Sequence, residues 1–222
     1  MKILKGPTIS DRIKRSLYVS VVLVLLFPLS YCTKNLQKEE IIYTNNFEKG
    51  DLSGISNGRV STYDNSQVLG FFKNSGFSFK VDNIESHDYV EVSFNLYIHD
   101  NWIGNSLEGP GVTSPDLWQL TVGDSPIINT TFSNTTVFQS YPDGYKVDNP
   151  PMSNSFNTEL PSICNVNNDV GTSMYKIVKT IKTPSSSFVF ECRDVVSNPS
   201  AAVQNCKSWS VDNLVVKSIK FR

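Results

Sequence analysis

Apolar and polar residues alternate along much of this chain with a period of two. The run Tyr89–His99 is the clearest example. Its apolar positions are Val90, Val92, Phe94, Leu96 and Ile98. This spacing predicts a β-strand with one buried face, because successive side chains of a strand point to opposite sides of the sheet. Glu91 and His99 fall on the other face, and we expect them at the solvent.

Shorter runs of the same type predict further strands separated by Gly, Asn, Asp, Ser and Pro. They cover Ile41–Thr44, Arg59–Tyr63, Val68–Phe72, Phe77–Val81, Leu117–Val122, Ile127–Phe132, Tyr175–Ile181, Phe188–Cys192 and Trp209–Phe221. Gly123-Asp124 between two of these runs is typical of a tight hairpin. No amphipathic helical pattern follows the N-terminal leader. The fold class indicated is all-β, an antiparallel β-sandwich of the jelly-roll type, with residues 41–222 as one domain.

Two long segments interrupt the strand pattern, residues 101–116 and 142–168. The second contains proline pairs and few apolar residues. Loops of this length inside a compact domain are commonly functional or disordered. Since loops gather at the ends of a sandwich, we expect these two to build a binding surface.

The N-terminal residues have the pattern of a targeting signal. Five Lys/Arg and one Asp lie in the leader, and a short apolar stretch from Ser16 to Ser30 follows. This pattern is typical of an export signal and is too short for a membrane span. Leu29-Ser30-Tyr31-Cys32 resembles the lipobox of bacterial lipoproteins. The resemblance implies a signal peptide over residues 1–31, a diacylated (palmitate-type) Cys32, and residues 32–40 as a tether to a membrane surface in the cell envelope. Tyr31 departs from the lipobox, so the alternative is ordinary secretion.

The net charge of the chain limits the classes of partner that it can bind. The chain has 20 Lys+Arg and 21 Asp+Glu, and the part after Cys32 has a net charge of −5. An acidic domain without basic runs has no electrostatic basis for binding nucleic acid.

Cysteines suggest one crosslink. Cys192 ends one apolar run and Cys206 precedes the next, so a Cys192–Cys206 disulfide would close a hairpin loop in an exported chain. Cys164 would then be unpaired. The alternative is that all three cysteines are reduced and partly buried.

Acidic residues stand at both ends of the domain. Asn46-Phe47-Glu48-Lys49-Gly50-Asp51-Leu52 lies near the start, and Trp209-Ser210-Val211-Asp212-Asn213-Leu214 near the end. These stretches resemble the ends of MAM, carbohydrate-binding-module and concanavalin-like jelly rolls. The resemblance implies a structural Ca²⁺ held by Glu48 and Asp212, and Asp51 and Asn213 could add oxygen ligands. The alternative is that these residues are turn and strand-end residues paired with lysines.

The segment after the strongest strand is rich in oxygen donors and contains two tryptophans. Asp100, Asn101, Asn105 and Asp116 could form a sugar-binding rim with Trp102 as stacking platform and Trp118 nearby, or a second calcium site. The alternative is an Asx-turn loop whose tryptophan packs on the sandwich.

Enzyme signatures are missing from the sequence pattern. No predicted strand carries two acids on one face, and neither histidine lies in a triad-like spacing. We therefore expect a non-catalytic lipoprotein whose domain recognises a glycan or another extracellular ligand at the cell surface. The alternative is a structural or protein-adhesive surface protein without sugar specificity.

Overall fold

The computed structural model describes residues 35–107, 109–164, 170–197 and 207–222. The predicted signal peptide, residues 1–31, and Cys32 lie outside these ranges. The described residues form twelve strands: β1 (Leu36–Asn45), β2 (Ile55–Ser56), β3 (Val60–Tyr63), β4 (Ser66–Phe72), β5 (Gly76–Val81), β6 (Tyr89–His99), β7 (Leu117–Val122), β8 (Ser125–Thr130), β9 (Asn157–Leu160), β10 (Thr172–Lys182), β11 (Phe188–Val195) and β12 (Ser208–Phe221). Across the described ranges, no helix is long and apolar enough to cross a lipid bilayer.

The strands form two antiparallel sheets. One sheet has seven strands in the order β3-β4-β12-β6-β10-β9, with β1 also paired to β12. The other has five strands in the order β2-β5-β11-β7-β8. The chain passes from one sheet to the other eight times, between β1 and β2, β2 and β3, β4 and β5, β5 and β6, β6 and β7, β8 and β9, β10 and β11, and β11 and β12. This arrangement confirms the predicted all-β sandwich.

The core lies between the two sheets and is strongly aromatic. Along β6, buried Val90, Val92, Phe94, Leu96 and Ile98 alternate with partly exposed residues, as the sequence pattern predicted. Trp118 of β7 and Trp209 of β12 meet edge to face, with ring centroids 5.7 Å apart. Burial of such large apolar surfaces is the main stabilising contribution to a fold of this kind.

The structure differs from the predicted organisation at the N-terminal edge. β1 begins at Leu36 and pairs with the end of β12, Leu36 opposite Phe221. Residues 36–40 of the predicted tether are therefore part of the seven-stranded sheet.

His99 is the second difference, because it is fully buried although its position alternates with the core residues of β6. Rings of Tyr63 and Phe71 lie over it, with centroids 4.6 and 4.9 Å from the imidazole. Its Nε2 lies 2.7 Å from Ser210 Oγ. Burial lowers the pKa of His99 to about 3, so the ring is neutral at physiological pH.

Candidate functional site

The two tryptophans of the predicted sugar-binding rim are core residues. Trp102 is 1% exposed and Trp118 is fully buried. The indole Nε1 of Trp102 donates to the carbonyl oxygen of Ser208 at 3.0 Å. The stacking role predicted for Trp102 is therefore wrong, because its ring fills space inside the domain and presents no face to a ligand. The same burial removes Trp118 from any ligand surface.

The two acids of the predicted rim are also buried. Asp116 accepts Lys207 Nζ at 2.7 Å and the amide of Ser197 at 2.8 Å. Asp100 accepts the hydroxyl of Ser162 and, at 3.5 Å, the amide of Cys164. Burial raises the pKa of Asp100, and these hydrogen bonds lower it. Both carboxylates thus fasten neighbouring segments to the end of the sandwich.

Asn105 joins the two long loops. Its side-chain Oδ1 accepts from the hydroxyls of Thr131 and, at 2.9 Å, Ser140. Its Nδ2 donates to Asp148 Oδ1 at 2.6 Å. The predicted meeting of the loops is present, but the polar groups of Asn105 serve to hold them together. Asn101 lies half-buried at the start of the same segment.

The predicted Cys192–Cys206 disulfide is not formed by Cys192. Cys192 is a free thiol on the core side of β11, and burial raises its pKa. Cys164, which the prediction left unpaired, is disulfide-bonded. Cys206 lies outside the described residues. The prediction failed because strand alternation turns Cys192 inward, away from the loop that follows β11.

The four predicted metal ligands fall into two groups. The charge of Glu48 acts on Asp212, whereas Asp51 and Asn213 form hydrogen bonds with residues near them in sequence. Asp212 is 6% exposed, and burial raises its pKa to about 6. The negative charge of Glu48 also raises the pKa of Asp212, whereas the hydrogen bond from the Asn213 backbone amide lowers it. Glu48 is exposed and accepts from Ser66 Oγ and, at 3.1 Å, from the Gln67 amide.

Asp51 and Asn213 make short-range contacts. Asp51 Oδ1 accepts from the amide and the hydroxyl of Ser53 at 2.8 and 2.6 Å. Asn213 has a positive φ of 53° and donates from its backbone N and its Nδ2 to the Asp212 carboxylate. In the ranges that the structure describes, no three His, Cys, Asp or Glu side chains are grouped so as to hold a metal ion.

A different surface carries an ordered set of polar groups, of which Arg193 is exposed and Gln119 and Asn129 are half-buried. It lies on the outer face of the five-stranded sheet, where Arg193 of β11 pairs with Gly76 of β5 on one side and Gln119 of β7 on the other. Gln119 in turn pairs with Asn129 of β8. We call Gly76, Arg193, Gln119 and Asn129 the Arg193 row. Neighbouring strands lie about 4.8 Å apart, so the row extends over about 14 Å.

Hydrogen bonds fix the orientation of the row. Arg193 Nε donates to Gln119 Oε1 at 2.9 Å. Gln119 Nε2 donates to Asn129 Oδ1 at 3.0 Å. Each side chain therefore holds the next, and the ordering cost that a ligand would otherwise meet is reduced.

The row ends in an open groove of about 450 Å³. Its walls include Asn57, Asn74, Ser78, Glu191 and Arg193. Gly76 is required in the floor, because a Cβ there would lie 1.9 Å from the carbonyl oxygen of Cys192.

Asp194 fixes the turn between β4 and β5 that borders this groove. Its buried carboxylate accepts the amides of Asn74 and Ser75 at 2.7 and 2.8 Å and the indole Nε1 of Trp209 at 2.9 Å. Burial raises the pKa of Asp194, and these donors oppose the shift.

Sequence reasoning missed this surface, although one signal was present. In β11 the buried residues Phe188, Phe190, Cys192 and Asp194 alternate with exposed Val189, Glu191, Arg193 and Val195. This alternation places the charged residues Glu191 and Arg193 on the exposed face of one strand. The identity of the neighbours Gln119 and Asn129 required the strand register.

Comparison with known proteins does not assign the chain to a family. No protein-family model and no curated protein matches it. Among solved structures, a family 35 carbohydrate-binding module from Clostridium thermocellum is 12% identical, with 81% of this chain and 98% of that chain covered and a TM-score of 0.35. The C-terminal family 6 carbohydrate-binding module of a laminarinase from Zobellia galactanivorans is 9% identical, with 83% and 99% covered and a TM-score of 0.34. A family GH115 4-O-methyl-α-glucuronidase is 12% identical, with a TM-score of 0.39. The alignment covers 81% of this chain, which spans only 18% of the length of that enzyme.

Proposed function

We propose that this protein is a non-catalytic recognition domain that binds a glycan along the Arg193 row. The hydrogen-bonded series from Arg193 through Gln119 to Asn129 is the observation that carries the proposal. Sugar hydroxyls both donate and accept, so a binding surface for them needs fixed donors and acceptors at regular spacing. Guanidinium and amide groups on three adjacent strands provide such a set.

The groove is better suited to binding than to catalysis. Glu191 is its exposed carboxylate, and Asp194 is buried with donors from Asn74, Ser75 and Trp209. General acid and base work on a glycosidic bond requires two carboxylates facing the ligand from both sides of that bond. The residues lining this groove offer one.

The test is a glycan-array screen followed by calorimetry with single-residue variants. Gln119→Ala and Asn129→Ala should each weaken binding of the best glycan, because each removes fixed polar groups from the row. Thr180→Ala, on an exposed position of β10 in the other sheet, is the matched control and should bind normally. If the wild-type domain binds no glycan, recognition of an extracellular protein becomes the function to pursue.

We also propose that Glu48 and Asp212 hold a structural Ca²⁺ near the ends of the domain, with the side-chain oxygen of Asn213 and further oxygens completing the shell. The support is the buried Asp212 carboxylate, whose pKa is raised by burial and by the charge of Glu48. A divalent cation would relieve that repulsion. Asp51 is left out of this set because Glu48, and not Asp51, is the carboxylate whose charge raises the pKa of Asp212. Thermal melts with and without millimolar Ca²⁺ test the site.

We further propose that acylated Cys32 tethers the domain to a membrane surface. β1 starts at Leu36 beside Phe221, at one end of β12. The loop that carries Asn105 follows β6, whose last residue His99 lies opposite Ser208 at the other end of β12, and Asn105 joins it to the second long loop. A tether at Leu36 would therefore leave those loops facing away from the membrane. Mass spectrometry of the mature N-terminus tests the anchor, and an unacylated terminus elsewhere than Cys32 would favour simple secretion.

A further inference from the structure

We propose that the Arg193 row selects glycans that carry an anionic substituent, and that the Arg193 guanidinium is the group that contacts the anion. This inference rests on the proposed glycan-binding function and names the class of ligand at the same site. Three observations support it: the Arg193 guanidinium is oriented but has no ion-pair partner among the described residues, other cations lie near it, and the Tyr145 ring lies at the far end of the row.

Arg193 is held at one edge and free at the other. Its Nε donates to Gln119, which leaves the two terminal nitrogens directed away from that bond. Over the described part of the chain, no carboxylate lies within 4.0 Å of this side chain, so its charge is not neutralised by an ion pair. An oriented guanidinium with free terminal N–H groups matches the planar fork of a carboxylate or two oxygens of a sulfate.

Two further cations lie on the Gly76 side of Arg193. Lys73 and Arg59 line a second hollow, which shares Asn57 and Ser75 with the groove. Arg59 is fixed there because its guanidinium donates to the carbonyl oxygens of Gly70 and Phe71. Three cationic side chains, Arg193, Lys73 and Arg59, therefore lie around this end of the row, together with the exposed carboxylate of Glu191 and the buried carboxylate of Asp194.

Glu191 restricts where the anion can lie. It faces the same side as Arg193 but belongs to the next row, opposite Ser78 of β5 and Thr121 of β7. A ligand carboxylate displaced by one row would meet Glu191 and be repelled. The anionic group is consequently confined to the Arg193 row.

The far end of the row supplies a neutral contact. The amide of Tyr145 donates to the carbonyl oxygen of Asn129 at 2.8 Å, so the loop after β8 continues the row past the edge strand. The Tyr145 ring is half-exposed, and Lys146 Nζ lies 5.8 Å from its centroid. An aromatic face at this position can stack on a sugar ring irrespective of the ligand's charge.

These two ends give a test with an internal control. Affinities are measured for matched glycan pairs: oligogalacturonate against its methyl ester, and chondroitin sulfate against desulfated, carboxyl-reduced chondroitin. For at least one pair, the wild-type domain should bind the anionic member at least about tenfold more tightly. Arg193→Gln should bring that ratio close to one, and Arg193→Lys should restore part of it. Tyr145→Ala should weaken both members equally and leave the ratio unchanged.

The outcomes separate this inference from the proposed function. Glycan binding with equal affinity for both members of every pair would overturn the anionic selection and leave glycan recognition standing. Retention of the wild-type ratio by Arg193→Gln would overturn the role of Arg193. Absence of binding to any glycan by the folded domain would overturn both. Thermal melts of each variant establish that it is folded, and we expect little change because both side chains are at the surface.

Discussion

Replacing Asp212 by Asn should stabilise the calcium-free domain at neutral pH. Burial raises the pKa of Asp212 to about 6. An aspartate in an unfolded chain titrates near 3.9, so the native state binds this proton more tightly than the unfolded state does. As the pH rises from about 4 to about 6, the unfolded state loses its proton first and the native state loses stability. Above pH 6 the penalty is constant and amounts to about 3 kcal/mol.

The variant removes that penalty at a smaller cost. Asn keeps one oxygen for the Asn213 amide, and the lost contact to Asn213 Nδ2 should cost about 1 kcal/mol. In EDTA at pH 7.5 we therefore expect Asp212→Asn to be about 2 kcal/mol more stable than wild type. At pH 4 and below the native Asp212 carboxyl is protonated and, like an amide, keeps one acceptor oxygen for the Asn213 backbone N–H, so the stability advantage of the variant should largely disappear.

Urea denaturation in EDTA at pH 4 and pH 7.5 measures how the stability difference between variant and wild type depends on pH. The reasoning is refuted if the difference between variant and wild type is the same at both pH values. Added Ca²⁺ extends the test, since millimolar Ca²⁺ should raise the melting temperature of wild type and have no effect on Asp212→Asn. Asp51→Asn is the matched control and should keep the calcium response, because the Asp51 carboxylate is engaged within its own turn. An equal calcium response in all three proteins would place the ion elsewhere.

Three further outcomes follow from burial. Lys207→Met leaves the Asp116 carboxylate buried and unpaired, so the free energy of unfolding should fall by about 3–5 kcal/mol in urea denaturation, and a loss below about 1 kcal/mol would contradict the burial of the pair. Trp102→Phe should lose about 1–3 kcal/mol of stability yet retain glycan affinity in calorimetry; selective loss of glycan binding by the folded variant would restore a ligand role for Trp102. Cys192 should resist alkylation at pH 8 in the native protein and react after denaturation, as read by peptide mass spectrometry; rapid native labelling would show that it is accessible.

The fold was predictable because one physical constraint repeats along the chain. Every strand that separates a core from solvent must alternate. β11 alternates over its whole length, and β6 alternates from Tyr89 to Ile98. His99 departs from this rule for a non-local reason. Its position on β6 faces outward, and residues of β3 and β4 cover it there, so only the assembled sheet reveals that it is buried.

The predicted ligand rim failed for a related reason. Asp100, Asn105 and Asp116 are polar residues beside tryptophans, which is also the composition of a functional loop. The partners that make Asp116 structural are Ser197 and Lys207, which are 81 and 91 positions away in sequence. Hydrogen bonding across such separations leaves no local pattern, so sequence alone could not distinguish a polar residue that holds a loop from one that awaits a ligand.

The difference between polar groups that hold a loop and polar groups that are available to a ligand favours the five-stranded sheet as the binding surface. A buried polar group must find a partner within the protein, whereas an exposed one can be left for a ligand at little cost. At the loop end of the sandwich, the side-chain oxygen of Asn105 accepts hydrogen bonds from Thr131 and Ser140, and Asp116 accepts one from Lys207. On the outer sheet face, Arg193 uses its Nε–H to donate to Gln119, which orients the guanidinium, and its terminal N–H groups remain at the surface. A side chain can bind a ligand where hydrogen bonds order it without using all of its donors and acceptors, and the Arg193 row meets this condition.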